Sequence, residues 1–471
     1  MDDKFHEECG VFGVCGDANA VMHTAIGLCA LQHRGQESCG VAADDGREVT
    51  RVCSSGSPAA LMSESAFGTL RGNLAVGHVR YSTVGDTGLQ NAQPIVMDCP
   101  QGQMALCHNG QIVNFDELKE EIDPLGPIWR TTSDSELVLQ LCRVSREKDA
   151  ASAIVEAVAR ISGAFSMVLL ANHELIVARD PHGFRPLCMG HLNDALVVCS
   201  ETCALDAVGA QYIRDIEPGE ITAIGAGGIR ILRQSPAPTK THCVFEHVYF
   251  ARPDSYIFGV NVGAVRARLG SNLARESPVD ADVIVPIPES GMWAALGYQE
   301  DSGLPLRLGL VRNPYMGRSF IHPDPDKRAS ITHLKVNAMP SVLGGKRVVL
   351  IDDSIVRGTT MTKIVELVRR AGATEVHVRI ASPPPVAPCF YGINTSTTAE
   401  LIAATQSVSA ICRTIGADSL SYLSLQGLLD AVGHTHGDYC TACYTGNYGV
   451  RRPRTAGHHD FVGVQDIKRA A

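Results

Sequence analysis

The fourteen residues RVVLIDDSIVRGTT, at 347–360, restrict the fold more than any other part of the chain. The apolar run predicts a buried strand that ends at two acids. A short loop follows, and then an amphipathic helix predicted over 360–370, with Gly372 just beyond it as a natural stop. A strand, loop and helix in this order indicate an open α/β sheet, which binds its ligands at the carboxyl ends of its strands.

The residue types in this loop suit a sugar phosphate. Asp352 and Asp353 can accept hydrogen bonds from two neighbouring sugar hydroxyls or reach a bound magnesium ion. The segment 354–360 can wrap a phosphate with backbone N–H groups and hydroxyls at the helix N-terminus. Gly358 permits a close approach of the backbone. The alternative is an ordinary strand–turn–helix with an acidic N-cap.

Two other segments are expected to contribute to a site at the same edge of the sheet. The segment DVIVPIPESG, at 282–291, also ends a buried strand, and Ser290 there could bind magnesium or diphosphate. It could equally be only a turn. The polar segment 318–340 has the length of a lid that would exclude water from a charged leaving group, and the alternative is a solvated surface loop.

The pattern of apolar residues divides the chain in two. From Cys243 onward, near-continuous apolar strands alternate with amphipathic helices, which predicts an α/β domain with a mainly parallel sheet. From Cys9 to Leu232, short apolar strands are broken by Gly, Asn and Asp and mixed with a few helices, which predicts an α+β layered domain. The polar segment 233–242, with two prolines, is the predicted linker.

Composition excludes several classes of protein. The chain has 471 residues, 45% of them hydrophobic, and a net charge of -9 with acids and bases mixed, which argues against nucleic acid as the main partner. It has no run of about 18 apolar residues, so no membrane span is expected. The charged start, MDDKFHEE, is not a secretory signal, and a cytoplasmic location with reduced thiols is expected.

The N-terminal half opens with EECGVFGV. If cleavage removed residues 1–8, Cys9 would become residue one, and its own α-amino group could act as general base for the thiol. On spacing alone, Cys9 would more often be a buried strand cysteine. Four segments that follow in order favour the catalytic interpretation: LQHRGQES (31–38), GHVRYST (77–83), CHNGQIVN (107–114) and TTSDSEL (131–137).

Together these segments resemble the glutamine amidotransferase domain of the N-terminal-nucleophile class, a layered αββα-type fold. The resemblance implies that Arg80 pairs with the glutamine α-carboxylate and Asp134 with its α-ammonium group, and that Asn109 and Gly110 form the oxyanion hole. The chemistry agrees, because arginine binds carboxylates through two hydrogen bonds and an amide with a backbone N–H suits a developing oxyanion. Taken singly, Arg80 could be a structural ion pair and Asp134 a helix N-cap.

Four of the sixteen cysteines stand out: Cys243 and Cys389 lie in aromatic- or proline-bearing segments outside the clear helices, and Cys440 and Cys443 lie in a region rich in Gly, His and Tyr. The last two form a C-x-x-C pair. Spacing alone leaves redox, zinc and iron–sulfur chemistry open and does not select the other two ligands.

The segment 347–360 also matches the signature of phosphoribosyltransferases that use 5-phosphoribosyl diphosphate. The order of all the motifs, from residue 8 to about 446, resembles the iron–sulfur-containing branch of the amidophosphoribosyltransferase family. The turn QHRGQES distinguishes it from relatives that aminate sugar phosphates, which have an EYRGYDS-like turn. The resemblance implies a propeptide at 1–8, a glutamine amidotransferase domain at 9–232, a phosphoribosyltransferase domain at 243–430 and a C-terminal segment at 431–471 with cluster cysteines.

The family further implies ligands for each group. It assigns 5-phosphoribosyl diphosphate to Asp352, Asp353, Ser354, Arg357, Gly358, Thr359, Thr360 and Lys335. It assigns Mg²⁺ to Ser290, Asp352 and Asp353, and a [4Fe-4S] cluster to Cys243, Cys389, Cys440 and Cys443. It also implies homotetramers, feedback inhibition by purine nucleotides, and formation of 5-phosphoribosylamine as the first step of purine synthesis. One departure is His333, which stands where the family usually has arginine in the lid.

The sequence disfavours three other interpretations. A different amidotransferase with another acceptor is disfavoured by DDSIVRGTT. A regulator that binds the sugar phosphate as an effector would lack the glutamine half and would usually carry a basic DNA-binding element. A degenerate copy with one inactive site is disfavoured because the expected motifs are present.

Overall fold

The computed structural model describes residues 9–81, 88–235, 239–313, 336–393, 397–433, 437–450 and 452. The predicted propeptide at 1–8, His333, Lys335 and most of the predicted lid lie outside these ranges. No helix within the described ranges is long and apolar enough to cross a membrane.

The first half is built from two antiparallel sheets with helices on their outer faces. Its strands are β1 (Gly10–Cys15), β2 (Ser38–Asp44), β3 (Val49–Ser55), β4 (Leu74–Arg80), β5 (Ile95–Cys99), β6 (Gly102–Ile112), β7 (Gly163–Ala171), β8 (Glu174–Arg179), β9 (Cys188–Leu192), β10 (Ala195–Cys199), β11 (Gln211–Asp215), β12 (Glu220–Gly225) and β13 (Gly228–Gln234). Its α-helices are Ala20–Leu31, Pro58–Ser63, Phe115–Ile122, Glu136–Val144, Ala150–Arg160 and Thr202–Val208.

The sheets pack face to face. The seven-stranded sheet has the order β11-β9-β10-β1-β4-β2-β3, and the six-stranded sheet has the order β13-β12-β8-β7-β6-β5. Side chains of both sheets form one apolar core between them. Two other cores lie under the helices, one on the outer face of each sheet. The αββα layers predicted for this half are therefore confirmed.

The second half contains a parallel sheet covered on both faces. Its strands are β14 (His242–Cys243), β15 (Tyr256–Ile257), β16 (Val260–Asn261), β17 (Val283–Pro286), β18 (Leu310–Arg312), β19 (Val336–Ala338), β20 (Arg347–Asp352), β21 (Glu375–Ile380), β22 (Ser419–Tyr422) and β23 (Tyr439–Cys440). Its α-helices are Val262–Glu276, Met292–Ser302, Pro340–Leu343, Thr359–Arg370, Ile402–Thr405, Val408–Ile415, Leu425–Val432 and Ala442–Thr445, and Glu246–Phe250 is a π-helix.

The order of the main sheet is β17-β20-β21-β22, and all its pairs are parallel. Separate apolar cores lie on its two faces. The predicted mainly parallel sheet is thus confirmed. The predicted linker differs slightly at its ends, because Arg233 and Gln234 still pair with β12, and His242 pairs with β23.

Candidate active sites

The start of β1 and the end of β4 bring Cys9 and Arg80 together. The register of the two antiparallel strands pairs Gly10 with Val79, so Cys9 stands opposite Arg80 at the end of the ladder. The Cys9 thiol donates a hydrogen bond to the Tyr81 carbonyl oxygen, with 3.4 Å between Sγ and O. The Arg80 side chain is buried and pairs with Glu37, with 2.8 Å between Nη1 and Oε1.

The turn QHRGQES is held against Arg80 by a close backbone contact. A Cβ atom on Gly35 would lie 2.5 Å from the Arg80 carbonyl carbon, so a larger residue could not occupy position 35 without displacing the turn or the end of β4. Glu37, which pairs with Arg80, belongs to the same turn. The motif therefore sets the position of the predicted glutamine-binding arginine.

Asn109 and Gly110 lie near the end of β6, in the facing sheet. Val11 and Cys107, each two residues from a predicted catalytic residue, share the core between the sheets. The Asn109 side-chain amide nitrogen is buried and has no hydrogen-bond partner within the described part of the chain. A buried donor left without a partner is costly and suits a ligand that arrives later.

Gly110 has a φ of 145°, and a Cβ atom there would lie 2.0 Å from the Ala164 carbonyl oxygen. Only glycine fits position 110, because the backbone there has a positive φ and packs directly against Ala164. Asp134 is buried next to the same strand, where its Oδ2 accepts a hydrogen bond from the Ile112 N–H at 2.8 Å. The N-cap residue of the helix Glu136–Val144 is Ser135, not Asp134.

Two buried histidines close to Asn109, one on β4 and one on β6, are held neutral. His78 on β4 contacts the His108 carbonyl oxygen across the two sheets at 3.0 Å. Burial lowers the pKa of His78 to about 3 and lowers the pKa of His108 in the same way. The His108 ring contacts Ser135 Oγ at 2.9 Å, beside Asp134. These histidines therefore support the strand without adding a positive charge near neutral pH.

In the second half, the predicted acids lie at the carboxyl end of β20, where Asp352 is the last residue of the strand and Asp353 begins the loop. Asp352 and Asp353 are each 2% exposed. Ser290 Oγ donates to Asp352 Oδ1 at 3.0 Å, and Ser354 Oγ donates to Asp353 Oδ2 at 2.5 Å. The loop that carries Ser290 packs closely against the end of β20, since a Cβ on Gly291 would lie 2.1 Å from the Ile351 carbonyl oxygen.

The other predicted residues of this loop lead into the helix. Gly358 has a φ of 83°, and Thr359 and Thr360 are the first two residues of the helix Thr359–Arg370, so its N-terminus opens on the loop. Arg357 pairs with Glu400, with 3.0 Å between Nη2 and Oε2. Paired acids, hydroxyls and a helix N-terminus at the carboxyl edge of a parallel sheet form a site suited to a sugar phosphate and a hard cation.

The four predicted cluster cysteines come from three segments that meet at the boundary of the two halves. Cys243 and Cys440 are register partners in the parallel pair β14–β23. The Cys443 carbonyl oxygen accepts hydrogen bonds from the N–H groups of Val386 and Ala387, which holds the segment leading to Cys389 against it.

Burial, followed by the charges of neighbouring thiols, raises the pKa of Cys440 to about 12 and that of Cys443 well above its usual value. Among the described residues, no three His, Cys, Asp or Glu side chains are close enough to hold a single metal ion. The donor set is four cysteines, the set that iron–sulfur clusters use.

Comparison with known proteins agrees with this arrangement. A family model described as a glutamine amidotransferase domain matches residues 78–207. The solved structure of glutamine phosphoribosylpyrophosphate amidotransferase from Bacillus subtilis, complexed with ADP and GMP, superposes with a TM-score of 0.90 and 44% identity, covering 95% of this chain and 98% of that chain. Fold and sites together define a glutamine amidotransferase joined to a phosphoribosyl-transferring domain.

Curated relatives identify the family. Amidophosphoribosyltransferase of Bacillus subtilis is 45% identical over 94% of this chain and 94% of its own length. That of Archaeoglobus fulgidus is 44% identical over 94% of this chain and 98% of its own length. The chain belongs to the amidophosphoribosyltransferase family. The predicted family and enzyme class, a glutamine-dependent transferase of the phosphoribosyl group, are confirmed.

Several residues that lie beside these sites in the structure were not predicted from the sequence. Glu37 is the partner of Arg80, although it lies within the quoted turn. Arg34 and Glu246 form a buried ion pair between the halves. An acid within the apolar run CVFEHVYF is the one local signal that could have indicated a buried partner for Glu246.

Proposed function

We propose that the chain makes 5-phosphoribosylamine from 5-phosphoribosyl diphosphate, with glutamine as the nitrogen source, as the first step of purine synthesis. Glutamine and water give glutamate and ammonia at one site, and ammonia displaces diphosphate from C1 of the sugar at the other. The observation that carries this proposal is the presence of both sites in one chain that matches relatives of this family over nearly its whole length.

At the glutamine site, Cys9 is the proposed nucleophile. Removal of residues 1–8 would leave a free α-amino group on Cys9, which would take the thiol proton. Arg80 would bind the glutamine α-carboxylate and Asp134 its α-ammonium group. The buried Asn109 amide, together with the Gly110 N–H, would donate to the oxygen of the tetrahedral intermediate, which then loses ammonia to leave a thiolester. Water hydrolyses the thiolester to glutamate.

At the sugar-phosphate site, Asp352 and Asp353 are proposed to accept hydrogen bonds from the two ribose hydroxyls. Residues at the N-terminus of the helix Thr359–Arg370 would hold the 5-phosphate through backbone N–H groups and hydroxyls. The proposed phosphate contacts are Ser354, Arg357, Gly358, Thr359 and Thr360, and Lys335 is proposed to contact the diphosphate.

Magnesium fits the oxygen donors of this site. Ser290 Oγ lies 3.0 Å from Asp352 Oδ1, and both neighbouring carboxylates are buried, so Ser290, Asp352 and Asp353 are the proposed ligands. When bound, magnesium neutralises charge on the departing diphosphate. The side chains themselves orient the sugar so that C1 faces the incoming ammonia.

A [4Fe-4S] cluster is proposed at Cys243, Cys389, Cys440 and Cys443. The fit rests on the donor set, because four cysteines from three separate segments meet where the C-terminal segment crosses the boundary between the halves. A cluster there would tie the C-terminal segment to the rest of the chain.

Transfer of ammonia inside the protein is part of the proposal, because ammonia in water near pH 7 is mostly protonated and not nucleophilic. Purine nucleotides are proposed as feedback inhibitors, consistent with ADP and GMP in the Bacillus subtilis structure. A homotetramer and a cytoplasmic location are proposed as well.

The test is glutamate release by anaerobically purified protein, with and without magnesium and 5-phosphoribosyl diphosphate. The proposal expects glutamate release stimulated by the sugar phosphate and matched mole for mole by diphosphate. Glutamate release that is indifferent to the sugar phosphate would instead indicate another acceptor or an uncoupled glutaminase. In a Cys9→Ser variant, glutamate release should be lost while formation of 5-phosphoribosylamine from added ammonia remains.

The cluster is tested by iron and sulfide analysis of the Cys389→Ser variant. Its content of both should fall well below that of the unsubstituted protein, whereas Cys412→Ser, at a half-buried cysteine on the helix Val408–Ile415, should keep the full content. Equal iron in both variants would contradict the proposed ligand set.

A further inference from the structure

A buried network of charged side chains joins the two halves, and none of its members is part of either proposed active site. At its centre is Glu246, from the phosphoribosyl half, whose side chain is fully buried. Arg34 Nη2 donates to Glu246 Oε2 at 2.5 Å, and Arg185 Nη1 lies 3.4 Å from Oε1. Both arginines come from the glutamine half, so one carboxylate of the second half holds two guanidinium groups of the first.

A second carboxylate extends the network. Arg34 Nε donates to Glu201, which also contacts the His33 ring at 2.7 Å. From the phosphoribosyl half, Ser255 Oγ donates to Glu201 at 2.7 Å and the Arg252 N–H donates at 2.9 Å. Burial alone would raise the pKa of Glu201, but the charges of Arg34 and His33 hold it well below its usual range. Glu201 is therefore ionised and bonded to both halves.

Arg34 lies directly beneath the catalytic residues of the glutamine site. Its Cδ would be 3.3 Å from a Cβ placed on Gly10, the residue that follows Cys9. The next residue, Gly35, packs on the backbone of Arg80. A shift of Arg34 would therefore move the nucleophile and the predicted glutamine-binding arginine.

Arg185 connects Glu246 to the predicted oxyanion hole. Its Nε and Nη2 donate to the Tyr391 carbonyl oxygen at 3.1 and 2.5 Å. The next residue, Gly392, is so close to Gly110 that a Cβ on Gly392 would lie 3.1 Å from the Gly110 Cα.

The other end of the connection leads to the sugar-phosphate site. Glu246 begins the π-helix Glu246–Phe250, and such helices are often found at functional sites. Arg266 holds this segment, because its Nε donates to the His247 carbonyl oxygen at 2.9 Å and its Nη2 to the Ala251 carbonyl oxygen at 2.8 Å. This segment also packs against the sugar-phosphate site, because Val248 and Phe250 share one buried apolar core with Ile351 of β20 and with Val356 in the loop that follows.

We infer that Glu246 is a positioning residue that transmits occupation of the sugar-phosphate site to the glutamine site. A ligand that moves the loop after β20 acts through this shared core on the π-helix that carries Glu246. Because Glu246 holds Arg34 and Arg185 together, its movement shifts the Cys9 side and the Gly110 side at once. Stabilisation alone would not require charges here, since buried ion pairs are often replaceable by apolar side chains. The inference rests on the glutamine site proposed at Cys9.

The test is the Glu246→Gln variant, which keeps the shape of the side chain and removes its charge. Three rates are measured in the full-length protein: glutamate release without the sugar phosphate, glutamate release with it, and formation of 5-phosphoribosylamine from ammonia. The expected result is a loss of about fivefold or more in the stimulation by the sugar phosphate, with the other two rates within about twofold of the unsubstituted protein.

Glu220→Gln is the matched control, because Glu220 is equally buried but pairs with Arg214 inside the glutamine half, at 2.7 Å. In Glu220→Gln, the stimulation of glutamate release by the sugar phosphate should be unchanged. If Glu246→Gln does not fold, Ser255→Ala takes its place, since it removes one hydrogen bond that a neutral hydroxyl donates to the Glu201 carboxylate from across the boundary. It should lower the stimulation in the same direction.

The inference is overturned if the stimulation survives in the Glu246→Gln variant, or in Ser255→Ala where that variant is used. It is also overturned if all three rates fall in parallel, or if Glu220→Gln loses the stimulation equally. Absence of stimulation in the unsubstituted protein would overturn it too, whereas the site at Cys9 would still be judged separately, by whether Cys9→Ser abolishes glutamate release.

Discussion

Gly392 of the phosphoribosyl half packs on Gly110 of the glutamine half so closely that a Cβ atom on Gly392 would lie 3.1 Å from the Gly110 Cα and 3.2 Å from its carbonyl carbon. Gly392 also has a φ of 105°, a conformation that other residues adopt only with strain. The segment that carries Cys389 therefore reaches across the boundary to touch the strand of the predicted oxyanion hole. The geometry of that hole depends on both halves.

The Gly392→Ala variant should be defective in glutamate release while it still uses added ammonia. The new methyl group would displace the Gly110 backbone, and a misplacement of this kind in a reacting geometry lowers the rate by about 100-fold. Steady-state rates with glutamine and with ammonia measure the two activities. In the control, Gly303→Ala, the glycine has a φ of 69° but nothing within 4 Å, so only stability should fall, by about 1 kcal/mol. Equal use of glutamine by both variants would contradict the prediction.

The Gly291→Ala variant should show the opposite pattern. A Cβ there would lie 2.1 Å from the Ile351 carbonyl oxygen. This clash would push the loop that carries Ser290 away from Asp352 at the end of β20. We expect the KM for 5-phosphoribosyl diphosphate in the ammonia reaction to rise about tenfold or more, because the site is held together by that contact. Glutamate release without the sugar phosphate should stay near normal. An unchanged KM would show that the two loops do not act as one site.

Local pattern and family resemblance together predicted most of the architecture. The helix predicted at 360–370 is Thr359–Arg370, because its periodic apolar residues and the glycine just beyond it are local signals. The strand before Asp352 was predicted because a continuous apolar run with acids at its end is typical of a parallel sheet.

What joins the halves could not be predicted in this way. Arg34 and Glu246 are 212 positions apart, and Gly392 touches Gly110 only because the segment after β21 folds back onto the first half. No periodicity links such positions, since ion-pair partners and close backbone contacts depend on the packed structure. The quoted turn QHRGQES contained Arg34, but its buried role appears only when the facing acid is known.

Arg80→Lys should raise the KM for glutamine. Lysine keeps the charge but loses the planar pair of donors that matches a carboxylate, and the loss of one charge-assisted hydrogen bond corresponds to an increase of about 10- to 100-fold. The ammonia reaction should keep its rate. Arg71→Lys is the control, because Arg71 is exposed and donates to the backbone carbonyls of Gly68 and Leu70. A normal KM for glutamine in Arg80→Lys would remove Arg80 from the glutamine site.

Acid should destabilise the protein partly through His78. Its pKa is about 3 in the folded protein, against about 6.5 in an unfolded chain, because the ring is fully buried. Between these values the unfolded state binds a proton that the folded state does not. Stability from this residue is therefore complete above about pH 6.5 and is lost as the pH falls toward 3, by about 1.4 kcal/mol per pH unit.

The His78→Gln variant keeps a side-chain donor for the His108 carbonyl oxygen but cannot take up the proton. Its free energy of unfolding, from urea titrations between about pH 8 and pH 4, should therefore fall less steeply with acid than that of the unsubstituted protein. The two curves should run parallel above about pH 7, where both side chains are neutral. His191→Gln, at an exposed position on β9, should leave the acid slope as it is. If His78→Gln has the same acid slope as the unsubstituted protein, the buried ring is not what the folded state keeps neutral, and the acid sensitivity must come from other groups.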